Sequence, residues 1–386
     1  MERVFTSGFV LGILGGGQLG RMMLPVLQEW NIRTIIMDPS PHAPCSHAAG
    51  FTTGDFRSYD DVLHFGKQCD VLTVEIEHVN VRALKDLEQS GVKVFPQARI
   101  LETVQDKAAQ KDFYHRHGIP SAAYRKYATL REMRENPPSY PFIWKAARSG
   151  YDGRGVQLIE DASQLSALPE RACIAEEYLD IYREFSVLIS RNRKGETAVY
   201  PPVEMQFHPQ VHQLEYVFAP ARVDTKLARR LEELALRTSG AFGHVGLMAV
   251  EMIETKDGMI RVNEVAPRPH NSGHYSMDAS YTGQFEQHLR AILNLSPGDT
   301  GSRMPAVMLN LTGEEFYSGE VVYSGLEKAL ENPRTYLHLY GKTHTRPHRK
   351  MGHLTVLHDD INEAYRLAKE IGRGIRITGR EQMSCD

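Results

Sequence analysis

The stretch FVLGILGGGQLGRMMLPVLQEW (residues 9–30) decides how the chain begins to fold. An apolar run leads into Gly15, Gly17 and Gly20, which fit G-x-G-x-x-G, and an apolar pattern of helical period follows. This order predicts a strand, a tight turn and a helix whose first N–H groups can face an anion. The next apolar run, TIIMD, ends at Asp38, where a dinucleotide-binding enzyme carries its ribose-binding acid. Read alone, the turn is open to a nicotinamide enzyme, to a site for a substrate's phosphate, or to a purely structural bend. Gln18 and Arg21 stand at the helix start, where they could meet a substrate.

Outward from this turn, strand and helix signals alternate: RTIIMD, SYDDVLHFGKQ, DVLTVEIE, VRALKDLEQSG and VKVFP. Such βαβ repetition implies a parallel sheet covered by helices. From about Ile100 the texture changes. LETVQDKAAQKDFYHRHGIP reads as one helix stopped by Gly118 and Pro120. Short strand-like runs then suggest an antiparallel sheet, LARRLEELALRTSGAFG is an amphipathic helix, and a last α+β segment starts near Ala306.

Composition narrows the class. The 386 residues exceed one compact core and suggest two or three domains. A formal net charge of −3 argues against nucleic-acid binding by overall basicity. No apolar run reaches the length of about 18 residues that a membrane helix needs, and the N-terminus lacks a signal-peptide cleavage pattern. Cys45, Cys69, Cys173 and Cys385 form no C-x-x-C pair, so a reducing cytoplasm is the expected home. The 17 histidines show no recognised metal spacing.

The hairpin GLMAVEMIETKDGMIRVNEV carries the sharpest chemical signal. With Asp257-Gly258 as a two-residue type I′ turn, Lys256 faces Met259 and Glu251 falls opposite Glu264. Leu247, Ala249, Ile260 and Val262 are then expected on the same apolar face. Two carboxylates about 5 Å apart at their Cβ atoms repel unless a cation or proton lies between them. Oxygen ligands of this kind suit magnesium, completed by phosphate and water. WKAARSGYDGRG adds Lys145 at a strand end and a glycine loop with Arg148 and Arg154, able to fold over phosphates, although no Walker A sequence is present. IAEEYLDIYREF offers Glu176, Glu177, Tyr178 and Leu179 toward an adenine edge, and Glu184 toward ribose hydroxyls. NEVAPRPHNSGHY gathers Arg268, His270 and Asn271, and YGKTHTRPHRKMGH gathers Lys342, Arg346, Arg349 and Lys350. Polar loops after strands and basic clusters are where a substrate phosphate can be held, although both also occur as plain surface.

In this order, GILGGGQLGRMM, TVEIEHV, KAARSGYDGRGV, AVEMI, VNEVAPRPHNSGH and RPHRKMGHL resemble the 5-(carboxyamino)imidazole ribonucleotide synthase family of ATP-grasp enzymes over nearly the whole chain. The resemblance implies a Rossmann-like pre-ATP-grasp domain (1–102), an ATP-grasp domain (103–305) with a mobile lid (about 112–185), and a small C-terminal α+β domain (306–386). It implies ATP and magnesium, with ATP phosphorylating bicarbonate to carboxyphosphate. Aminoimidazole ribonucleotide is then carboxylated on its exocyclic amine. The partners implied are these small molecules and a second copy of the chain in a homodimer, with no nucleic acid and no membrane.

By position, Glu251 and Glu264 become the metal ligands. Lys107, Lys145, Glu176, Glu177, Tyr178, Leu179, Glu184 and Asn263 become the ATP site. Gln18, Leu19, Glu75, Tyr151, Asp152, Arg154, His270, Asn271, Lys342 and Arg349 become the ribonucleotide site. Arg268, Asp152 and Arg154 become the catalytic group around bicarbonate. Lys107 stands where the family often has arginine, which keeps charge but loses a bidentate contact. The segment after Glu204 looks longer than usual and leaves the role of that residue open. Two competing readings are a formate-dependent glycinamide ribonucleotide formyltransferase type of ligase and an NAD-dependent dehydrogenase.

Overall fold

The glycine-rich turn sits at the centre of a parallel sheet. In the computed structural model, which describes residues 4–148 and 155–382, strand Val10–Leu14 has strand Arg33–Asp38 on one side and strand Val71–Val74 on the other. Phe51–Thr53 and Lys93–Phe95 complete five parallel strands. The Phe51–Thr53 edge strand was not legible, because its three residues are too short for a periodic signal. Helix Gln18–Glu29 follows the turn and buries Leu19, Met22, Met23 and Leu27. Leu11, Ile13 and Met23 pack with Phe285, Leu289 and Ile292, so a helix of the central body, Gln284–Ile292, clamps the first sheet. Each such fully buried side chain contributes about 1.5–3 kcal/mol.

The segment expected to be one helix is two, Ala98–Val104 and Lys107–Arg116. Asp106 breaks it: its carboxylate accepts the N–H groups of Ala108 and Ala109 and caps the second helix. The cap turns Lys107, Gln110, Lys111 and Tyr114 inward. A four-stranded antiparallel sheet follows, Tyr124–Tyr127, Cys173–Glu177, Phe142–Ala146 and Val156–Ile159 in spatial order.

The body is a nine-stranded sheet that does not stop at residue 305. Its strands include Ile181–Arg191, Val203–Phe207, Leu214–Ala219, Gly246–Thr255 and Ile260–Ala266. Strand Leu214–Ala219 pairs with Ala306–Thr312, which in turn pairs with Lys350–Leu357. The C-terminal segment therefore extends the sheet of the body. Helix Ile361–Gly374 covers this extension, and a three-stranded sheet lies beside it. The segment after Glu204 forms a hairpin whose loop, residues 208–213, reaches the central cleft. Glu204 itself is structural: its carboxylate binds the Arg222 guanidinium and accepts the Arg222 N–H. No helix among the described residues is long and apolar enough to cross a membrane.

Candidate active site

Glu251 and Glu264 are direct partners across the hairpin. The turn differs from the type I′ expectation. Thr255 pairs with Met259 through its N–H, and Gly258, at φ +78°, closes a three-residue loop. That would slip the register by one, but a bulge between Val262 and Glu264 restores it. The bulge also corrects the expected face. Ile260 and Val262 pack with Met248, Val250 and Met252, away from the carboxylates, whereas Leu247 and Ala249 pack with Ala266.

The paired carboxylates are electrically unequal. Lys107 Nζ lies 3.1 Å from Glu264 Oε2 and holds that carboxyl well below its usual range. Burial and the facing Glu264 push Glu251 well above the carboxylate range, with His270 Nε2 3.1 Å from its Oε1. A divalent cation between them would relieve this repulsion, so the donor set fits magnesium. Among the described residues no group of three or more His, Cys, Asp or Glu side chains forms a closed metal cage. A cation held by these two carboxylates would need outside oxygen ligands, of the kind that phosphates and water offer.

Behind the pair lies an ionic cluster. Glu176 sits between Lys145 Nζ at 2.9 Å and Lys111 Nζ at 3.3 Å, with Glu176 and Lys111 deeply buried. Burial raises the Glu176 carboxyl, but the two ammonium groups win and hold it below its usual range. Lys111 is pushed down to about 8 by burial. Lys145 also reaches Asn263 Oδ1 on the bulge at 3.4 Å. Glu177 accepts from Ala123 N–H and pairs with Arg261. Tyr178 and Leu179 come directly after this last strand residue. Glu184 is raised to about 7 by burial, partly offset by Lys145.

One cleft of about 990 Å³ collects most of the remaining residues: Gln18, Leu19, Glu75, Lys107, Glu251, Glu264, Arg268, His270, Asn271, Lys342 and Arg349. Lys145, Glu176, Glu177, Tyr178, Leu179, Glu184 and Asn263 are not among its lining residues. Tyr151, Asp152 and Arg154 lie outside the described residues, so their roles stand on the family resemblance.

At the glycine turn, the anion is a side chain of the protein. Glu75 Oε1 accepts the Leu19 N–H at 3.2 Å, and a Cβ on Gly17 would stand 2.3 Å from that oxygen. The glycines leave room for a carboxylate where a dinucleotide enzyme leaves room for pyrophosphate. Asp38 is also committed, accepting from the N–H groups of Gly16 and Ser40 at 2.8 Å each. Burial raises Glu75, opposed by Arg268 and by the Leu19 N–H. Arg268 Nε lies 3.2 Å from Glu77 Oε1, yet the two are misaligned for a hydrogen bond. Arg21 turns away from the cleft, donating to Pro44 O and lying against Gly341.

The loop after Glu264 is tied down by hydrogen bonds. Gln284 exchanges hydrogen bonds with the His270 backbone, and His270 Nδ1 meets Ser272 Oγ at 2.9 Å. The Asn271 amide is paired both ways with Asn310, which leaves one donor and one acceptor position on its carboxamide. Lys342 Nζ bridges Gln18 Oε1 at 2.8 Å and Lys350 O at 2.6 Å, joining the first and last segments. Burial, and after it the nearby Arg346, lower Arg349 from its ordinary value. Sequence reading missed Gln110, Glu77 and Gln213 on the cleft wall. Isolated glutamines carry no spacing signal.

Comparison with known proteins agrees with this architecture. Residues 9–105 match the ribonucleotide synthetase preATP-grasp domain, 112–285 the ATP-grasp domain, and 306–366 the phosphoribosylaminoimidazole carboxylase C-terminal domain. N5-carboxyaminoimidazole ribonucleotide synthase of Bacillus subtilis is 32% identical, over 94% of this chain and 95% of its own. The crystal structure of the synthetase from Thermotoga maritima superposes with a TM-score of 0.87 at 39% identity, covering 96% of this chain and all of that one. The Aspergillus clavatus enzyme, solved in complex with ADP and 5-aminoimidazole ribonucleotide, gives 0.84 at 33% identity, covering 94% of this chain and 97% of that one. Some relatives are longer: the chain spans 72% of the Ogataea methanolica phosphoribosylaminoimidazole carboxylase, at 36% identity. By domain order, fold and likeness along its length, the chain belongs to the N5-carboxyaminoimidazole ribonucleotide synthase family of ATP-dependent ligases.

Proposed function

We propose that the chain uses ATP to join bicarbonate to the exocyclic amine of 5-aminoimidazole ribonucleotide, through carboxyphosphate. The observation that carries this reading is the single cleft joining the Glu251/Glu264 pair to Glu75 on the glycine turn and to Lys342 and Arg349. A phosphoryl-transfer end and a ribonucleotide end thus share one space.

Glu251 and Glu264 would hold magnesium, which supplies charge neutralisation at the triphosphate. Lys107 and Lys145 add fixed positive charge, since phosphoryl transfer needs neutralisation and alignment more than an acid or base. Tyr178 and Leu179 meet the base and Glu184 the ribose. A bicarbonate oxygen attacks the γ-phosphorus and its bond to ADP breaks. The amine then attacks the carboxyl carbon, phosphate leaves, and the amine proton passes to the departing phosphate. Arg268 orients bicarbonate, while Gln18, Leu19, Glu75, His270 and Asn271 shape the imidazole end. Lys342 and Arg349 clamp the substrate phosphate, and Tyr151, Asp152 and Arg154 are assigned with them on resemblance. The buried free thiols Cys45, Cys69 and Cys173 support a reducing cytoplasm, and a homodimer is the assembly proposed.

The test is ADP release with the imidazole ribonucleotide as bicarbonate is varied. Bicarbonate-dependent turnover is expected. Full turnover with formate and glycinamide ribonucleotide instead would refute the proposal.

A further inference from the structure

Helix Lys107–Arg116 carries two buried polar groups that the reaction above does not use. Gln110 is 3% exposed and lines the cleft, and its Nε2 has no hydrogen-bond partner among the described residues. Tyr114 is fully buried one turn further on, and its hydroxyl also has no partner among them. Leaving a buried amide unpaired costs about 1–3 kcal/mol, and native proteins keep few such groups. The ones they keep need an explanation.

The position of Gln110 supplies one. It lies one helical turn from Lys107, on the same face. Lys107 Nζ is 3.1 Å from Glu264 Oε2, at the carboxylate pair. Ala147, directly after the strand that carries Lys145, shares the lining with Gln110. A carboxamide there meets the groups that face a triphosphate. It brings N–H donors and no charge, and its oxygen and nitrogen can exchange places by rotation of the side chain.

We infer that the Gln110 carboxamide is a ligand of the transferring γ-phosphoryl group, donating an N–H to one of its non-bridging oxygens beside Lys107. It rests on the reading of the site as one for phosphoryl transfer. Tyr114 backs the helix face and is assigned no contact. Because the donor is neutral and preset, it strengthens as charge gathers on those oxygens in the transition state.

The experiment compares wild type, Gln110→Leu and Gln110→Ala. Affinities are measured for magnesium ADP and for the magnesium complex of the β,γ-imido analogue of ATP, with thermal midpoints and steady-state kinetics. The expected result is unchanged ADP affinity and a loss of about 5–20-fold for the imido analogue, the worth of one such hydrogen bond. kcat should fall by about 100-fold or more, with little change in KM for bicarbonate. The thermal midpoint of Gln110→Leu should be equal or higher, because an unpaired buried polar group has been removed.

Equal weakening of both nucleotides would overturn the inference, as would no change in either, or a shift confined to KM for bicarbonate. A lowered midpoint with both affinities intact in Gln110→Leu and Gln110→Ala would show a structural role and also overturn it. If wild type binds neither nucleotide, the phosphoryl-transfer reading itself fails, which is a separate result.

Discussion

Replacing Glu184 with glutamine should stabilise the empty protein at alkaline pH while weakening its hold on ATP. Glu184 lies in strand Ile181–Arg191, next to Ile253 and Met205, and burial raises its carboxyl from an ordinary 4.5 to about 7. Below pH 4.5 the group is neutral in both folded and unfolded chains and contributes no difference. Between 4.5 and about 7 the unfolded chain ionises first, so stability declines as pH rises. Above about 7 the whole cost is present. The ceiling is about 3 kcal/mol at 1.36 kcal/mol per pH unit, and partial solvation brings the expected gain nearer 1–2 kcal/mol.

Glutamine keeps the shape and has no charge to desolvate. Thermal midpoints of wild type and Glu184→Gln should therefore agree near pH 4.5 and separate by a few °C at pH 8, at about 2–4 °C per kcal/mol. Saturating ATP analogue should raise the wild-type midpoint more than the variant's, because a carboxylate accepts from ribose hydroxyls more strongly than an amide does. A variant less stable than wild type at pH 8 would refute the reasoning, as would a difference that does not change with pH.

Other outcomes follow from the same geometry. Glu264→Gln should abolish turnover at ordinary magnesium by removing one of the two facing carboxylates, and a magnesium titration that recovers no more than a trace is the check. Gly17→Ala places a Cβ 2.3 Å from Glu75 Oε1, so it should raise KM for the imidazole ribonucleotide about 10–100-fold, equivalent to about 1–3 kcal/mol, and leave KM for ATP unchanged. Lys342→Gln should weaken the ribonucleotide by a similar factor but leave the phosphate-free riboside as poor a substrate as before, measured by competition kinetics. Lys111→Met should leave Glu176 with Lys145 as its remaining ammonium partner and lower the thermal midpoint, since breaking a buried ion cluster costs about 3–5 kcal/mol.

The parallel sheet was legible because its strands are apolar and separated by helices of clear period. RTIIMD is a strand over those same residues, whereas DVLTVEIE ends early, at Val74, because Glu75 and Glu77 turn into the cleft. The Glu251–Glu264 pairing was reached with the wrong turn: a one-residue slip at Gly258 is cancelled by a bulge beside Asn263, and neither is written in the pattern of apolar residues. The break at Asp106 was hidden because the apolar pattern runs through it and only the capping carboxylate marks the boundary. Sequence pattern places Glu176 in a hinge for the base; that its carboxylate pairs with Lys111 and Lys145, partners distant in sequence, depends on the tertiary fold. The basic cluster at Lys342–Lys350 was visible as composition; its approach to Gln18 depends on the tertiary fold.

The unbroken ladder from the body into the C-terminal strands bears on how this chain can be divided. Removing everything after residue 305 would strip strand Leu214–Ala219 of its partner Ala306–Thr312 and uncover Tyr216 and Phe218, both buried in the intact chain. A shortened protein would carry an unpaired apolar edge, the feature that invites strands of neighbouring molecules to add on. The residues proposed to grip the substrate phosphate are thus not an appendage to be exchanged for another specificity. Grafting a different terminal segment would have to reproduce the hydrogen-bond register of Ala306–Thr312 before it could offer any new contact.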